Sequence, residues 1–251
     1  MNPLHALAAA CLVAAFFPAP VSAQADYARE KRLADEVAPG IVVGDPVWIE
    51  LPSGRKFLAI HAPAAKAAAG VIVVHGLGLH PDWGLIGVLR TQLSEQGYTT
   101  LSVQMPVLAA SAARDGYPAV FPEAAERLGA ATAWLRGKGP GKIAIVSHSM
   151  GASMSHYHLS RAADARIDAW VAIGMSGDIT LPGNFRAPVL DLYGEKDWPT
   201  VLDGAAKRSA TLRTIRGSGQ MQLAGADHFF TGVEGELVRQ VRQFLDARLK
   251  P

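Results

Sequence analysis

Cysteine is all but absent from this sequence: Cys11 is the only one in 251 residues. Everything beyond it is therefore without disulfides, a thiolate nucleophile or cysteine-ligated metal. Charge of one sign is lacking too. The 24 Lys and Arg nearly balance the 22 Asp and Glu, leaving a net charge of +2. No basic block or aromatic–basic interleaving occurs, so no nucleic-acid partner is expected. No apolar run reaches the roughly 20 residues that a bilayer span needs, so no stable membrane span is expected. A phosphate loop or dinucleotide fingerprint is missing as well, because the pair Gly76 and Gly78 has no third glycine. His156 and His158 lie two apart on a predicted helix and so face apart, which makes poor metal-ligand spacing. No metal and no cofactor are expected.

What is present supports one large buried core. Hydrophobic residues make up 49% of the chain and charged residues 18%, a balance that disfavours disorder and suits a single α/β domain. The N-terminus reads as an export signal. Residues 7–17 are apolar and uncharged, and Pro18 and Pro20 break the helix before the small-residue site Val21-Ser22-Ala23. The residues before the apolar stretch carry no Lys or Arg. The expected organisation is a signal peptide over 1–23, a lead-in over 24–46 and one domain over 47–251. Cleavage is expected after Ala23, with Ala25 as the alternative, and the product would be periplasmic or secreted.

Two short strands at 47–51 and 57–60 flank the turn-rich Pro52-Ser53-Gly54-Arg55 and predict a hairpin. From Val71 the pattern changes to alternating strands and helices. Val71-Ile72-Val73-Val74 and Ile143-Ala144-Ile145-Val146 are continuous apolar runs, as strands covered on both faces require. Further strands are predicted at 99–103, 169–173, 189–193 and 221–223. Helices are predicted at 85–96, 122–136, 151–163 and 233–249. The outcome is a mostly parallel sheet with helices on both faces.

In such sheets, reactive groups meet beyond the carboxyl ends of the strands. Four features fall there. Ser147-His148-Ser149-Met150-Gly151 follows a buried strand and opens a helix. A sharp turn with small residues two before and two after Ser149 would expose its hydroxyl as a nucleophile. Ser147 stands where such turns usually have glycine, yet it keeps the size restriction. Asp197 lies after the strand at 189–193 and can supply the carboxylate that orients a base. Glu195 and Asp203 are the nearest substitutes for it, and Asp178 a weaker one. His228 follows the last strand and is the candidate base. His75-Gly76-Leu77-Gly78 follows the strand at 71–74. There the backbone N–H of Leu77, with that of Met150, could receive the negative oxygen of an acyl-transfer transition state.

Taken together these residues resemble the α/β-hydrolase superfamily over nearly all of the chain after the signal. The stretches 75–83, 101–108 and 225–232 are similar to an exported bacterial α/β-hydrolase-like family of unknown function. The superfamily order is serine, acid, histidine. The resemblance thus implies the α/β-hydrolase fold with an N-terminal hairpin, and Ser149 as nucleophile, Asp197 as orienting acid and His228 as base. Residues 174–188 are too few for a large cap. Residues 105–121, with Tyr117 and Phe121, could instead form a small flap. Gly76, Trp83, His148, Tyr117 and Trp198 are the candidate substrate-binding residues. A small-molecule ester or acyl substrate is expected. Amide hydrolysis on the same groups, or a non-catalytic binding module, are the alternatives.

Overall fold

A computed structural model describes residues 24–65, 67, 69–161 and 166–250. The expected signal peptide, Cys11 included, lies outside the described residues. Helix α1 (Tyr27–Val37) starts where the Asp26 carboxylate accepts the Arg29 N–H at 2.9 Å, a side-chain cap for an otherwise orphaned donor. The hairpin strands are β1 (Asp45–Glu50) and β2 (Lys56–Ala62). Their turn is closed by the Leu51 N–H donating to the Arg55 carbonyl at 2.8 Å.

The alternating part comprises β3 (Gly70–Val74), α2 (Gly84–Glu95), β4 (Thr99–Val103), α3 (Phe121–Arg136), β5 (Ile143–His148), α4 (Met150–Arg161), β6 (Ala169–Ile173) and β7 (Val189–Gly194). After it come α5 (Pro199–Leu202), α6 (Ala205–Leu212), β8 (Gly219–Leu223) and α7 (Glu234–Leu249). All eight strands join one sheet in the order β1-β2-β4-β3-β5-β6-β7-β8. Strand β2 pairs antiparallel with β1 and β4, and every other pairing is parallel.

Every residue of β3, β4, β5, β6 and β7 is buried, which is why β3, β6 and the first four residues of β5 read as unbroken apolar runs rather than alternating ones. One core cluster packs on each face of the sheet. The parallel strands send their carboxyl ends to the same edge. Among the described residues, no helix is long and apolar enough to cross a membrane.

Helices α5 and α6 have no counterpart in the sequence reading. Lys207 and Arg208 interrupt any apolar stripe there, yet Arg208 is fully buried. Its Nε donates to Asp191 Oδ2 at 2.8 Å, while Nη1 and Nη2 donate to the carbonyls of Gly177 and Val201 at 3.0 Å each. Gln220 adds a donor to the same Asp191 oxygen at 2.8 Å. One guanidinium thus ties β7 to the loop after β6 and to α5.

A second buried arginine serves the other side. Arg127 on α3 pairs with Glu30 of α1 at 2.8 Å and with Glu123 at 2.5 Å, and donates to the Gln104 carbonyl at 3.0 Å. Glu30 also accepts the Val107 N–H at 3.2 Å. Ala25 consequently joins the core on that face, and Glu30 and Ala34 of α1 are buried.

Two predictions come from these buried polar groups. Arg208→Leu strands the Asp191 charge, so it is expected to cost about 3–5 kcal/mol, whereas the Arg208→Leu/Asp191→Leu pair should cost less than the single change. Urea unfolding midpoints check the order. The second concerns pH. Burial pushes the His75 imidazole down to about 3, against its hydrogen bond to the Gly76 carbonyl. Burial and the neighbouring His228 push His148 down to about 4. Both stay neutral in the fold while the unfolded chain takes up protons below its ordinary histidine value of about 6.5. Their contribution is fully present above that value and is lost as pH falls toward 4 and 3, at about 1.4 kcal/mol per pH unit for each. Unfolding midpoints should therefore drop steadily from pH 6.5 to 5, and less steeply in His75→Gln. Equal slopes in the two proteins would rule the account out.

Candidate active site

Ser149 occupies the single-residue turn between β5 and α4, with φ of 57°. That left-handed conformation costs an ordinary residue roughly 1–2 kcal/mol. It is held by the Ser149 N–H donating to the Ile173 carbonyl at 2.8 Å. Gly151 explains why the turn needs a glycine on its far side. A Cβ there would lie 2.3 Å from the His75 carbonyl oxygen and 2.9 Å from that of Val74. Ser147 is tolerated on the near side because its hydroxyl is fully partnered. It accepts the Trp170 indole N–H at 2.9 Å and donates to the Val171 carbonyl at 3.3 Å.

The loops after β7 and β8 bring Asp197 and His228 to this turn. His228 Nε2 is 2.8 Å from Ser149 Oγ, and its Nδ1 is 2.6 Å from Asp197 Oδ1. A carboxylate at Nδ1 fixes the proton on that nitrogen and turns the Nε2 lone pair to the serine hydroxyl. Asp197 is itself held by N–H groups of Trp198 at 2.8 Å and Gly194 at 3.3 Å. Burial pushes the Asp197 carboxyl up, but hydrogen bonds and the charge of His228, with those two backbone donors, bring it below the usual value. The other carboxylates considered from sequence are engaged elsewhere or remote. Glu195 accepts the Gly225 N–H at 2.7 Å, Asp178 lies 3.6 Å from Lys207, and Asp203 is exposed at the end of α5.

The imidazole of His228 is enclosed by rings. Trp198 stacks on it with centroids 3.6 Å apart and planes 17° apart. Phe229 meets it edge-on, and His148 lies 4.9 Å away. His148 Nε2 is 2.9 Å from the His228 carbonyl oxygen. That oxygen only accepts, so His148 carries its proton on Nε2.

The loop 75–79 borders the serine from the β3 side. A Cβ on Gly76 would come within 3.3 Å of the Ser149 Cβ. His75 is a fixed strut in this loop: its Nε2 accepts the Met105 N–H at 2.9 Å, so Nδ1 donates to the Gly76 carbonyl at 2.8 Å. Because a trans peptide points its C=O and N–H in opposite directions, holding that oxygen also aims the N–H of Leu77. From α1, Arg29 adds donors to the carbonyls of Gly78 at 3.0 Å and Leu108 at 2.6 Å. Met150 opens α4, so its N–H belongs to the first turn, where no helical carbonyl is available. A serine hydroxyl, a nitrogen ready to take its proton and two candidate backbone donors thus converge. Such an arrangement can perform nucleophilic acyl transfer.

A cavity of about 200 Å³ opens beside Ser149. Of the residues expected from sequence, Gly76, Leu77, Trp83, His148, Met150 and Trp198 line it. Tyr117 does not, and the expectation is corrected. The 3-10 helix of residues 114–120 presses its ring into the core with Met105 and Leu108, where its hydroxyl accepts the Leu108 N–H at 3.4 Å. Leu79, Phe229 and Arg114 line the cavity without having been singled out. Phe229 was legible as the neighbour of His228. Arg114 carried no local signal, since its position depends on how the 105–121 segment crosses the sheet edge.

Comparison with known proteins adds the following. Residues 18–125 match the model of a family described as protein of unknown function (DUF3530). A search of curated proteins returns no match. Among solved structures, the chain is similar to a serine hydrolase without lid from Xanthomonas campestris, at 18% identity and a TM-score of 0.62, covering 82% of this chain and 95% of that one. It is likewise similar to a dienelactone hydrolase from Anabaena variabilis, at 17% identity and a TM-score of 0.65, over 82% and 97% of the two chains. An esterase from Pyrococcus furiosus gives 17% identity and a TM-score of 0.63, over 83% and 98%. With its mostly parallel eight-stranded sheet, its helices on both faces and these likenesses, the chain has the α/β-hydrolase fold.

Proposed function

We propose that this protein is a serine hydrolase that cleaves small carboxylic esters through an acyl-enzyme. The observation that carries the reading is the unbroken chain from Asp197 Oδ1 to His228 Nδ1 at 2.6 Å and from His228 Nε2 to Ser149 Oγ at 2.8 Å. Ser149 Oγ attacks the ester carbonyl while His228 takes its proton, and Asp197 stabilises the resulting imidazolium. The oxygen gains negative charge facing the N–H groups of Leu77 and Met150. Each donor of this kind typically contributes about 3–4 kcal/mol. The same imidazolium then returns its proton to the departing alkoxide. Water repeats the sequence on the acyl-enzyme and frees the acid. Trp198, stacked on His228, keeps one face of the imidazole from water and presents its π-face to the cation that forms.

Ester rather than amide cleavage is favoured by the character of the cavity. Its walls are largely apolar, and the described residues around it supply few acceptors for the N–H groups of an extended peptide. We also propose that the chain is exported. Ala25 is buried, and the adjacent Asp26 N–H donates to the Val107 carbonyl at 2.7 Å. Signal cleavage after Ala23 leaves both in place, whereas cleavage after Ala25 removes a core residue.

A fluorophosphonate probe is expected to label the wild-type protein and to leave Ser149→Ala unlabelled. Asp197→Asn is expected to stay folded and to lose about 10⁴-fold in kcat on a chromogenic ester, the scale seen when the orienting carboxylate of such a triad becomes an amide. Wild-type protein that neither labels nor turns over would leave a binding module as the better reading. For export, N-terminal sequencing of periplasmic material should begin at Gln24; a start at Asp26 would move the cleavage site to Ala25, and recovery only of full-length cytoplasmic chain counts against export.

A further inference from the structure

We propose that the substrate of this site carries a carboxylate, held by Arg114. This deepens the ester-hydrolase reading and rests on it. The cavity beside Ser149 is walled mainly by Leu77, Leu79, Trp83, Met150, Trp198 and Phe229, all apolar. His148, also in the wall, stays neutral near physiological pH because burial and the nearby His228 hold it down to about 4. Arg114 is the one formal charge in that lining.

Three observations separate Arg114 from an ordinary surface arginine. It is anchored: Nη2 donates to Ser176 Oγ at 2.7 Å, and Ser176 Oγ is 3.2 Å from Thr200 Oγ1. The guanidinium carbon also stands 5.7 Å from the centre of the Trp198 ring. The side chain therefore crosses from the 105–121 segment to the loop after β6 and to the start of α5. Its anchors are all neutral, and among the described residues Arg114 forms no ion pair. Asp115, its chain neighbour, lines the adjoining groove of about 580 Å³ but not the cavity beside Ser149. Asp197 is committed to His228.

Arg114 also lines that groove, and so does Met150. The guanidinium accordingly stands where the enclosed cavity passes into the open groove, along the path a bound ester would take. A guanidinium offers five N–H donors, and one is spent on Ser176. Arg114 is exposed, so water meets the rest in the empty site, and a purely apolar ligand that displaced this water would supply no acceptor in its place. A carboxylate on the substrate, a few bonds from the scissile ester, would accept two of them side by side in the fork geometry that arginine favours.

The test uses a matched pair. In the Ser149→Ala protein, which cannot turn over, monomethyl glutarate and dimethyl glutarate differ in that one carboxylate is free in the first and methylated in the second. The monoester is expected to bind about tenfold more tightly by calorimetry in low salt. That preference should shrink in 0.5 M NaCl and fall to near parity in Ser149→Ala/Arg114→Gln, with Arg114→Lys keeping part of it. The wild-type enzyme should show the same preference in KM between mono-p-nitrophenyl glutarate, which keeps a free carboxylate, and methyl p-nitrophenyl glutarate, which has none. Equal binding of the two glutarates, or a preference that survives Arg114→Gln, overturns the assignment. If fluorophosphonate still labels Ser149 in that case, the hydrolase reading stands while the carboxylate reading falls. Carboxylate preference in a protein that never labels supports the Arg114 site and tells against hydrolysis instead.

Discussion

The architecture of the site hangs on one steric constraint: the main chain at Gly151 presses against the end of β3. With a Cβ at that position only 2.3 Å from the His75 carbonyl oxygen, no side chain fits, so the first turn of α4 can come this close only as glycine. The approach is made possible by β3 and β5 being paired neighbours, Val74 opposite Ser147. It forces the intervening turn into a single residue with positive φ, and that residue is Ser149. The same contact brings the loop 75–79 alongside the serine. The candidate nucleophile and the candidate oxyanion donors are thus set by one packing event, before any hydrogen bond at the site is counted.

Around that contact, buried polar groups turn loops into fixed parts. His75 transmits the position of Met105 to the Gly76 peptide, and Arg29 grips the same loop from α1. Arg127 and Glu30 in turn hold the 104–108 segment against α1 and α3. On the other side, Arg208 joins Asp191 to the carbonyls of Gly177 and Val201, close to the loop that carries Asp197. Buried ion pairs add little net stability once desolvation is counted. What they supply here is geometry, since loops at a sheet edge have few apolar contacts to fix them. Helix α1 thereby reaches, through Arg29, the loop that borders Ser149.

Much of this was legible in the sequence, for a physical reason that also marks where legibility stops. Strands buried on both faces are rich in apolar residues, so the unbroken runs Val71 to Val74 and Ile143 to Val146 announced themselves. Ser149 stood out because the turn that exposes it restricts its neighbours to small residues. Asp197 was legible from its place after β7, with Glu195 and Asp203 as substitutes because three carboxylates within nine residues differ little in sequence; the 2.6 Å contact with His228 falls on Asp197. Nothing local marks Arg208 and Arg127 as buried, because their partners, Asp191 and Glu30, are distant in the chain. Tyr117 failed in the opposite sense. An aromatic in a segment expected to form a flap resembles a pocket wall until the segment is seen to turn it into the core. Ser147 departs from the usual glycine, and only the indole N–H of Trp170 explains why the hydroxyl is acceptable there.

The distribution of exposed apolar groups gives the last step. Among the described residues five large hydrophobic side chains are exposed, and three of them, Leu77, Trp198 and Phe229, line the cavity beside Ser149. Scattered exposed apolar residues need no explanation, but a cluster at a concave mouth does. Folding gains nothing from leaving them in water, so the free energy forgone is recovered only when something apolar covers them. Trp198 shows how the two demands meet in one residue. One side of its ring is spent on His228, the rest is open to the cavity, and the guanidinium of Arg114 stands over it. On the proposed reading, an incoming ester would be recognised by the same surfaces that keep water from the imidazole. Binding and proton transfer would then share one set of contacts.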